Sequence, residues 1–342
     1  MDTPVKVAIK SQARYSRVDV AAPVRLHLGF MDLSGATGRS FGSLGLTLEG
    51  MSTRVHVEPA NRFEAEGEQA SRAERYWRLL QSEFGLPDAL KLVVAEAIPE
   101  HVGLGSGTQL ALAVGTAATR LFGQRIDVRT LARILDRGAR SGIGIGAFEQ
   151  GGFLVDGGTN ARGDPPPVTV RMEFPTTWRV LLIFDRVGQG IHGASEIGAF
   201  RALPPYPEES AARLCRLVLM RALPALAEAD ITEFGAAITD LQRAVGDYFA
   251  PAQGGRYASP EVAKVLAWLE ARGVAGFGQS SWGPTGFAVL DSETAAQAML
   301  READALWGPQ GRLHFAVCTA RNRGGEVVVQ EPSKRKSNNY TN

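Results

Sequence analysis

A chain of 342 residues is longer than one small core needs and suits two packed lobes, at about 100–200 residues per domain. Apolar residues make up 44% and charged residues 21%, the balance of a folded globular protein rather than a disordered one. Lys plus Arg number 37 against 36 Asp plus Glu, so the net charge of +1 points to neither a nucleic-acid groove nor an acidic tail. Any anion must be captured locally.

Met1–Ser16 reads as a loose arm. Lys6, Lys10 and Arg14 leave it no apolar core, so it does not read as a signal peptide. Val18–Leu28 alternates well enough for strands broken at Pro23. Thr53–Glu58 alternates again, with Arg54, His56 and Glu58 on one side and Val55 and Val57 on the other. Ser71–Phe84 puts Tyr76, Leu79, Leu80 and Phe84 on one helical stripe. A short strand at Lys91–Ala97, a loop at Pro99–Gly107, an apolar helix at Thr108–Phe122 and a helix at Val128–Leu135 follow. Gly138–Gly158 is unusually rich in glycine, and Asp164-Pro165-Pro166-Pro167 is a loop marking the weakest point between lobes. Trp178–Asp185 is a buried strand. Helices are expected at about 208–227, 230–248 and 260–272, then strands at Phe287–Leu290 and Leu313–Cys318 around a helix at about 292–306.

Glu331–Asn342 is polar and reads as a disordered tail. The pattern is α+β in two lobes, 1–170 and 171–330, with 331–342 as the tail. The two cysteines, Cys215 and Cys318, have no metal spacing and imply no disulfide framework, so a reducing, cytoplasmic setting is expected. No stretch approaches the roughly 18 apolar residues of a membrane span, and neither a membrane nor a nucleic acid is expected as partner.

The chemistry-bearing motif is Ile98-Pro99-Glu100-His101-Val102-Gly103-Leu104-Gly105-Ser106-Gly107-Thr108-Gln109, which runs from a strand into a helix. Glycines let the backbone approach a ligand closely. The first helical turn offers unpaired N–H groups and the positive end of the macrodipole. Together these form a phosphate cradle that needs no lysine. It is not a Walker loop, because the Gly-Lys-Ser/Thr ending is missing. The competing possibility is a plain glycine turn with Ser106 or Thr108 as helix cap.

Pro-x3-Gly-Leu-Gly-Ser-Gly-Thr resembles the signature of the GHMP kinase superfamily. Ala22-Pro23-Val24-Arg25-Leu26-His27-Leu28 resembles that superfamily's first motif, and Gly278-Gln279-Ser280-Ser281-Trp282-Gly283-Pro284-Thr285-Gly286 its third. The resemblance implies an N-terminal lobe like ribosomal protein S5 domain 2 and a ferredoxin-like C-terminal lobe. Many of these kinases carry Ser-Gly-x-Asp, whose aspartate helps deprotonate the substrate hydroxyl. Here Ser141-Gly142-Ile143-Gly144 puts glycine in that place, and glycine can hold no proton or charge. Homoserine kinases of the superfamily also lack that aspartate, so an ATP-dependent small-molecule kinase stays an alternative, as does a non-catalytic phosphometabolite-binding protein.

Arg25–Asp32, Arg39-Ser40-Phe41-Gly42-Ser43-Leu44-Gly45 and Gly188–Glu196 resemble more closely the β-ribofuranosylaminobenzene 5′-phosphate synthases, which use the GHMP fold without ATP. The resemblance implies that phosphoribosyl pyrophosphate and 4-aminobenzoate or 4-hydroxybenzoate are joined with loss of CO2 and pyrophosphate, an early step of methanopterin biosynthesis. It implies Mg2+ or another divalent cation with the pyrophosphate, its protein ligands unspecified, and a homodimer is expected. On this reading Gly103, Leu104, Gly105, Ser106, Gly107, Thr108 and Gln109 hold the phosphates. Arg25 or Arg39 clamps the benzoate carboxylate. His27, Asp32, Glu149 or Asp185 stabilises the sugar cation or the ring intermediate. Ser43, Gln189, His192, Ser280 and Ser281 are further substrate contacts.

Each has a plainer alternative. His27 suits a hydrogen-bonded core histidine, Asp32 a turn cap before Leu33-Ser34-Gly35, and Arg39 a surface pair. His192 suits a flexible loop, and Ser280 and Ser281 suit satisfying the backbone. His101 suits loop packing as well as a phosphate, Trp282 a core as well as a stacked benzoate, and His56 a solvated strand face.

Overall fold

The computed structural model describes residues 12–188, 198 and 202–332. Two long antiparallel strands, β1 (Arg17–Asp32) and β2 (Gly42–Pro59), anchor the first sheet. Val18, Val20 and Ala22 of β1 and Val55 and Val57 of β2 are buried, while the polar residues between them are not, so alternation selects the face that packs. Pro23 does not break the strand as expected. The register shifts between Pro23 and Val24, and this bulge absorbs the missing N–H.

β2 is 18 residues long, and one of its edges serves two neighbours. Its second half pairs with β4 (Leu90–Glu96) and its first half with β5 (Phe153–Asp156). β3 (Glu64–Gly67) lies parallel beyond β4, and β6 (Val168–Met172) antiparallel beyond β5. The helices α1 (Ala70–Phe84), α2 (Ser106–Leu121) and α3 (Val128–Ile134) cover this sheet. Every residue of α2 from Gln109 to Thr119 is buried, as its apolar composition demands.

The second sheet runs β10 (Leu313–Cys318), β7 (Arg179–Asp185), β9 (Gly286–Leu290), β8 (Phe277–Gln279), all antiparallel. Leu181 and Ile183 of β7 pack against α8 (Pro260–Glu270) and α9 (Glu293–Trp307). The other face, through Val180 and Leu182, meets the long helix α7 (Ile231–Gln253). Phe234, Ile238 and Leu241 of α7 share one core with Leu26 and Leu28 of β1 and Phe153 of β5, so the two sheets are joined through α7. The expected helix at 208–227 is α5 (Glu208–Leu217), a π turn (Val218–Ala222) and α6 (Leu223–Ala227). Pro224, which has no N–H to give, accounts for the widened turn before it.

Three expectations change. The glycine-rich stretch contains a helix, α4 (Ile143–Glu149), whose Gly144 and Gly146 allow contact with Thr108 and with Leu154 and Val168. The sheets do not divide at residue 170: β6 ends at Met172, and β11 (Glu326–Gln330) returns to pair with β1. Part of the arm is pinned, since the Arg14 and Tyr15 N–H groups donate to the Leu121 carbonyl and Ser16 N–H to that of Gln330. Residues 1–11 and 333–342, with most of the expected tail, lie outside the described residues. Cys215 and Cys318 are free thiols. Among the described residues no helix is long and apolar enough to cross a membrane.

Candidate functional site

The loop after β4 reaches α2 through two glycines in the left-handed region, Gly103 at φ 81° and Gly105 at φ 86°. Gly105 is the N-cap of α2, and no side chain caps the helix. Neither Ser106 nor Thr108 takes the capping role; the Thr108 N–H donates to the Gly105 carbonyl at 3.1 Å, so it is the Ser106 and Gly107 N–H groups at the helix start that suit a ligand. The Gly103 conformation also brings the loop against the third motif, where an added Cβ would collide with the Ser280 carbonyl.

Arg25 lies along this loop. Its Cγ, Nε and Cζ would be 3.0, 3.2 and 3.3 Å from a Cβ at Gly105, and Nη1 donates to the Gly103 carbonyl at 2.6 Å. Ser280 is fully buried and ties three segments: its Oγ donates to the Gly103 carbonyl at 2.8 Å and accepts from His27 N–H at 3.0 Å. Ser281 N–H donates to the His27 carbonyl at 3.3 Å from a residue held at φ 56°. The first motif, the loop and the third motif are thus one hydrogen-bonded unit.

His27 is 2% exposed, and burial, helped by the Arg25 charge, pushes its pKa down to about 3. It is therefore neutral at physiological pH, carries no charge to set against a cation, and is a weak proton acceptor. Nδ1 accepts from Gly29 N–H at 3.2 Å, an amide set free by a second register shift between His27 and Gly29. Nε2 is buried and has no hydrogen-bond partner among the described residues.

At the far side of the loop, Arg72 of α1 and Arg137 approach Gly107. Tyr76 Oη donates to the Gly107 carbonyl at 3.3 Å, and the Arg137 guanidinium lies 5.7 Å from the Tyr76 ring. Thr108 faces Gly144, and Gln109 Nε2 donates to the Gly144 carbonyl at 2.8 Å while Gln109 Oε1 is buried without a partner. Ser43 does not reach the loop: its Oγ donates to Asp156 at 2.5 Å. Asp156 also accepts from Gly142 N–H at 2.8 Å, Gly158 N–H at 2.9 Å and Ser141 Oγ at 3.2 Å. Burial outweighs these donors and raises its pKa to about 6. Asp156 went unnoticed in the sequence, where only an apolar run ending in an acid before Gly157-Gly158 signals it.

The remaining candidates scatter. Asp32 caps a turn, its Oδ1 accepting from Ser34 N–H at 2.8 Å and Ser34 Oγ at 2.7 Å. Arg39 is no surface pair; it donates to the Gly157 and Gly158 carbonyls, each at 2.6 Å. Glu149 is exposed at the end of α4 remote from the first-turn Gly144, beside Gly324. Asp185 is buried, but Arg312 and the Ser259 hydroxyl overcome that burial and hold its pKa down to about 2, so it serves the second sheet as an ion-pair anchor. Trp282 belongs to the core, its ring 4.3 Å from that of Phe249. Gln189 and His192 lie outside the described residues.

Family models for the GHMP kinases N terminal domain and the GHMP kinases C terminal match residues 71–152 and 222–308. A β-ribofuranosylphenol 5′-phosphate synthase of Archaeoglobus fulgidus is 34% identical over 320 residues, covering 90% of this chain and 98% of the relative. One of Methanothermobacter thermautotrophicus is 30% identical over 331 residues, with the same coverage. This chain belongs to that synthase family. Solved GHMP structures share the synthase fold at low identity. Homoserine kinase from Cytophaga hutchinsonii matches with TM-score 0.63 at 18% identity, over 94% of this chain and 100% of that one. Lactococcus lactis galactokinase complexed with galactose gives 0.67 at 14%, over 92% and 95%. The α+β GHMP architecture expected from the three motifs is therefore correct for this synthase-family chain.

Proposed function

We propose that this chain condenses phosphoribosyl pyrophosphate with 4-hydroxybenzoate or 4-aminobenzoate, giving the aryl C-riboside 5′-phosphate, CO2 and pyrophosphate, as an early step of methanopterin biosynthesis. The relatives' name, a ribofuranosylphenol phosphate, supports the hydroxy acid. The observation that carries the reading is Arg25 laid across Gly105, which sets a carboxylate-reading guanidinium beside an uncapped phosphate cradle.

The ring carbon bearing the carboxylate attacks C1 of the ribose as the bond to pyrophosphate breaks. The sugar passes through oxocarbenium character. The pair of electrons in the ring–carboxylate bond then returns to the ring as CO2 leaves. The Gly103–Gln109 backbone takes a phosphate end of the donor, and Arg25 orients the carboxylate. Asp32, which caps its turn with Ser34, is assigned to the cation on the family resemblance alone. Among the described residues no group of three His, Cys, Asp or Glu could hold a metal, so a Mg2+ is taken as arriving with the pyrophosphate rather than as resident in a protein cage.

A kinase reading has the fold in its favour and Gly144 against it. Carboxyl-labelled 4-hydroxybenzoate or 4-aminobenzoate incubated with phosphoribosyl pyrophosphate releases labelled CO2 if the proposal holds. Silence with both acids, or robust ADP release from ATP and an alcohol, sinks it.

A further inference from the structure

Nε2 of His27 is a buried polar atom that no described residue serves. A small cavity of about 20 Å³ lies beside it, walled by His27, Phe30, Phe249, Trp282, Gln242 and Gln279 among others. A space of that size admits one oxygen-sized group and no ring. Because Nδ1 accepts from the Gly29 amide, which can only donate, the proton of the neutral imidazole sits on Nε2. The ring therefore offers a donor with a settled direction of exchange.

The carboxamides around the cavity do not answer it. Gln242 donates to the Leu28 carbonyl at 2.6 Å and accepts from Gln279 N–H at 2.9 Å. Gln279 accepts from Ala258 N–H at 2.7 Å and donates to Gln253 Oε1 and the Ser281 carbonyl, both at 3.0 Å. A trapped water wants two to four partners and is poorly held against such a wall. A phenol oxygen on a ring that is fastened elsewhere is held by that ring, accepts from Nε2–H and has one proton of its own to place.

The fastening point is on the same strand. Arg25 and His27 are two residues apart on one face of β1, about 6.6 Å along the strand. That backbone spacing starts the two side chains about one benzoate's length apart, Arg25 running to the Gly103–Gly105 loop and His27 to the cavity. We propose that His27 Nε2–H receives the 4-oxygen of the aryl acceptor whose carboxylate Arg25 holds, and so selects a hydroxyl over an amine. An aryl amine presents N–H groups and a lone pair drawn into the ring, so it meets this donor with a donor. Phe30 and Phe249, packed edge to face with ring centroids 6.3 Å apart, form an apolar wall of the cavity. The assignment rests on the synthase reading above.

The test compares kcat/KM for 4-hydroxybenzoate and 4-aminobenzoate in the full chain and in His27→Leu and His27→Gln. Loss of one buried hydrogen bond lowers the hydroxy-to-amino ratio by about 5- to 30-fold in His27→Leu. KM for phosphoribosyl pyrophosphate stays put, and His27→Gln, which still carries a donor, recovers most of the ratio. An unchanged ratio in folded His27→Leu overturns the assignment, as does a glutamine variant no better than leucine. Should the leucine variant not fold, binding to the wild-type protein decides. 4-Hydroxybenzoate then binds more tightly than unsubstituted benzoate by a similar factor, and equal affinities overturn the assignment. No CO2 from either acid with the wild-type protein removes the synthase reading and this assignment together, whereas CO2 release with an unaltered ratio removes only the role of His27.

Discussion

Gly105 offers the sharpest separation of backbone strain from ligand electrostatics. Gly105→Ala puts an L-residue at φ 86°, at a cost of about 1–2 kcal/mol. The new methyl also stands 3.0 Å from Arg25 Cγ, so the guanidinium must yield by a few tenths of an ångström. At roughly 2–4 °C per kcal/mol, the melting temperature falls by about 2–8 °C. Gly105→Asp carries the same strain and adds a negative charge about 5 Å from the expected phosphate. At an effective dielectric constant near 20 that repulsion is about 3 kcal/mol per phosphate charge, more than a hundredfold in Kd. Titration calorimetry with phosphoribosyl pyrophosphate therefore gives moderate weakening for alanine and near abolition for aspartate, with similar melting curves for both. If the two variants bind alike, the loop is not the phosphate cradle.

Arg25→Ala is expected to raise the benzoate KM or lower kcat by about 30- to 100-fold while moving the melting temperature little, because a charge-assisted bidentate contact is lost; an equivalent loss of stability instead marks Arg25 as a packing residue. Gly144→Asp confers no ATP phosphotransfer, since its Cβ would stand 3.0 Å from Thr108 Cγ2 and the carboxylate has no prepared place, and a coupled ADP assay reads this directly. Asp156 has a folded pKa of about 6, above its unfolded value, so the stability it contributes is full below about pH 4 and is lost as pH rises toward 6. Asp185, held down to about 2, behaves oppositely: its contribution is present above about pH 4 and is lost on acidification toward 2. Denaturant midpoints of Asp156→Asn and Asp185→Asn against the wild type, taken across pH 3 to 7, should diverge from it in opposite directions.

The elements readable in the sequence were those whose apolar pattern is local. The α1 stripe at Tyr76, Leu80 and Phe84 (though not at Leu79, which is exposed), the continuous burial of α2 and the run Val180–Ile183 each announce themselves within a dozen residues. What escaped was set by distant partners. α4 is a helix containing two glycines because Thr108 and Val168 press against it, and nothing within Gly138–Gly158 states that. β11 is exposed along its length and belongs to the first sheet only through β1, about 310 residues earlier in the chain. At the site, the glycine turn that opens α2 was legible from its spacing, whereas the course of Arg25 along that turn was not written in any local pattern. Ser43 was expected to contact substrate, and Asp185 and Glu149 to stabilise the cation or the ring intermediate. Their burial or exposure and their partners assign them other places, and Asp156, the acid buried among four donors, had no motif to expose it.

The return of β11 also has a consequence for the order of assembly. Until Glu326–Gln330 has been made, the outer edge of β1 carries unpaired backbone groups, and Arg321 has not yet reached Glu49. A ribosome must therefore release the roughly 310 residues that separate the two strands before this edge can be closed. β1 waits for β11, a long-range pairing of the kind that slows folding and leaves a nascent edge open to chaperones.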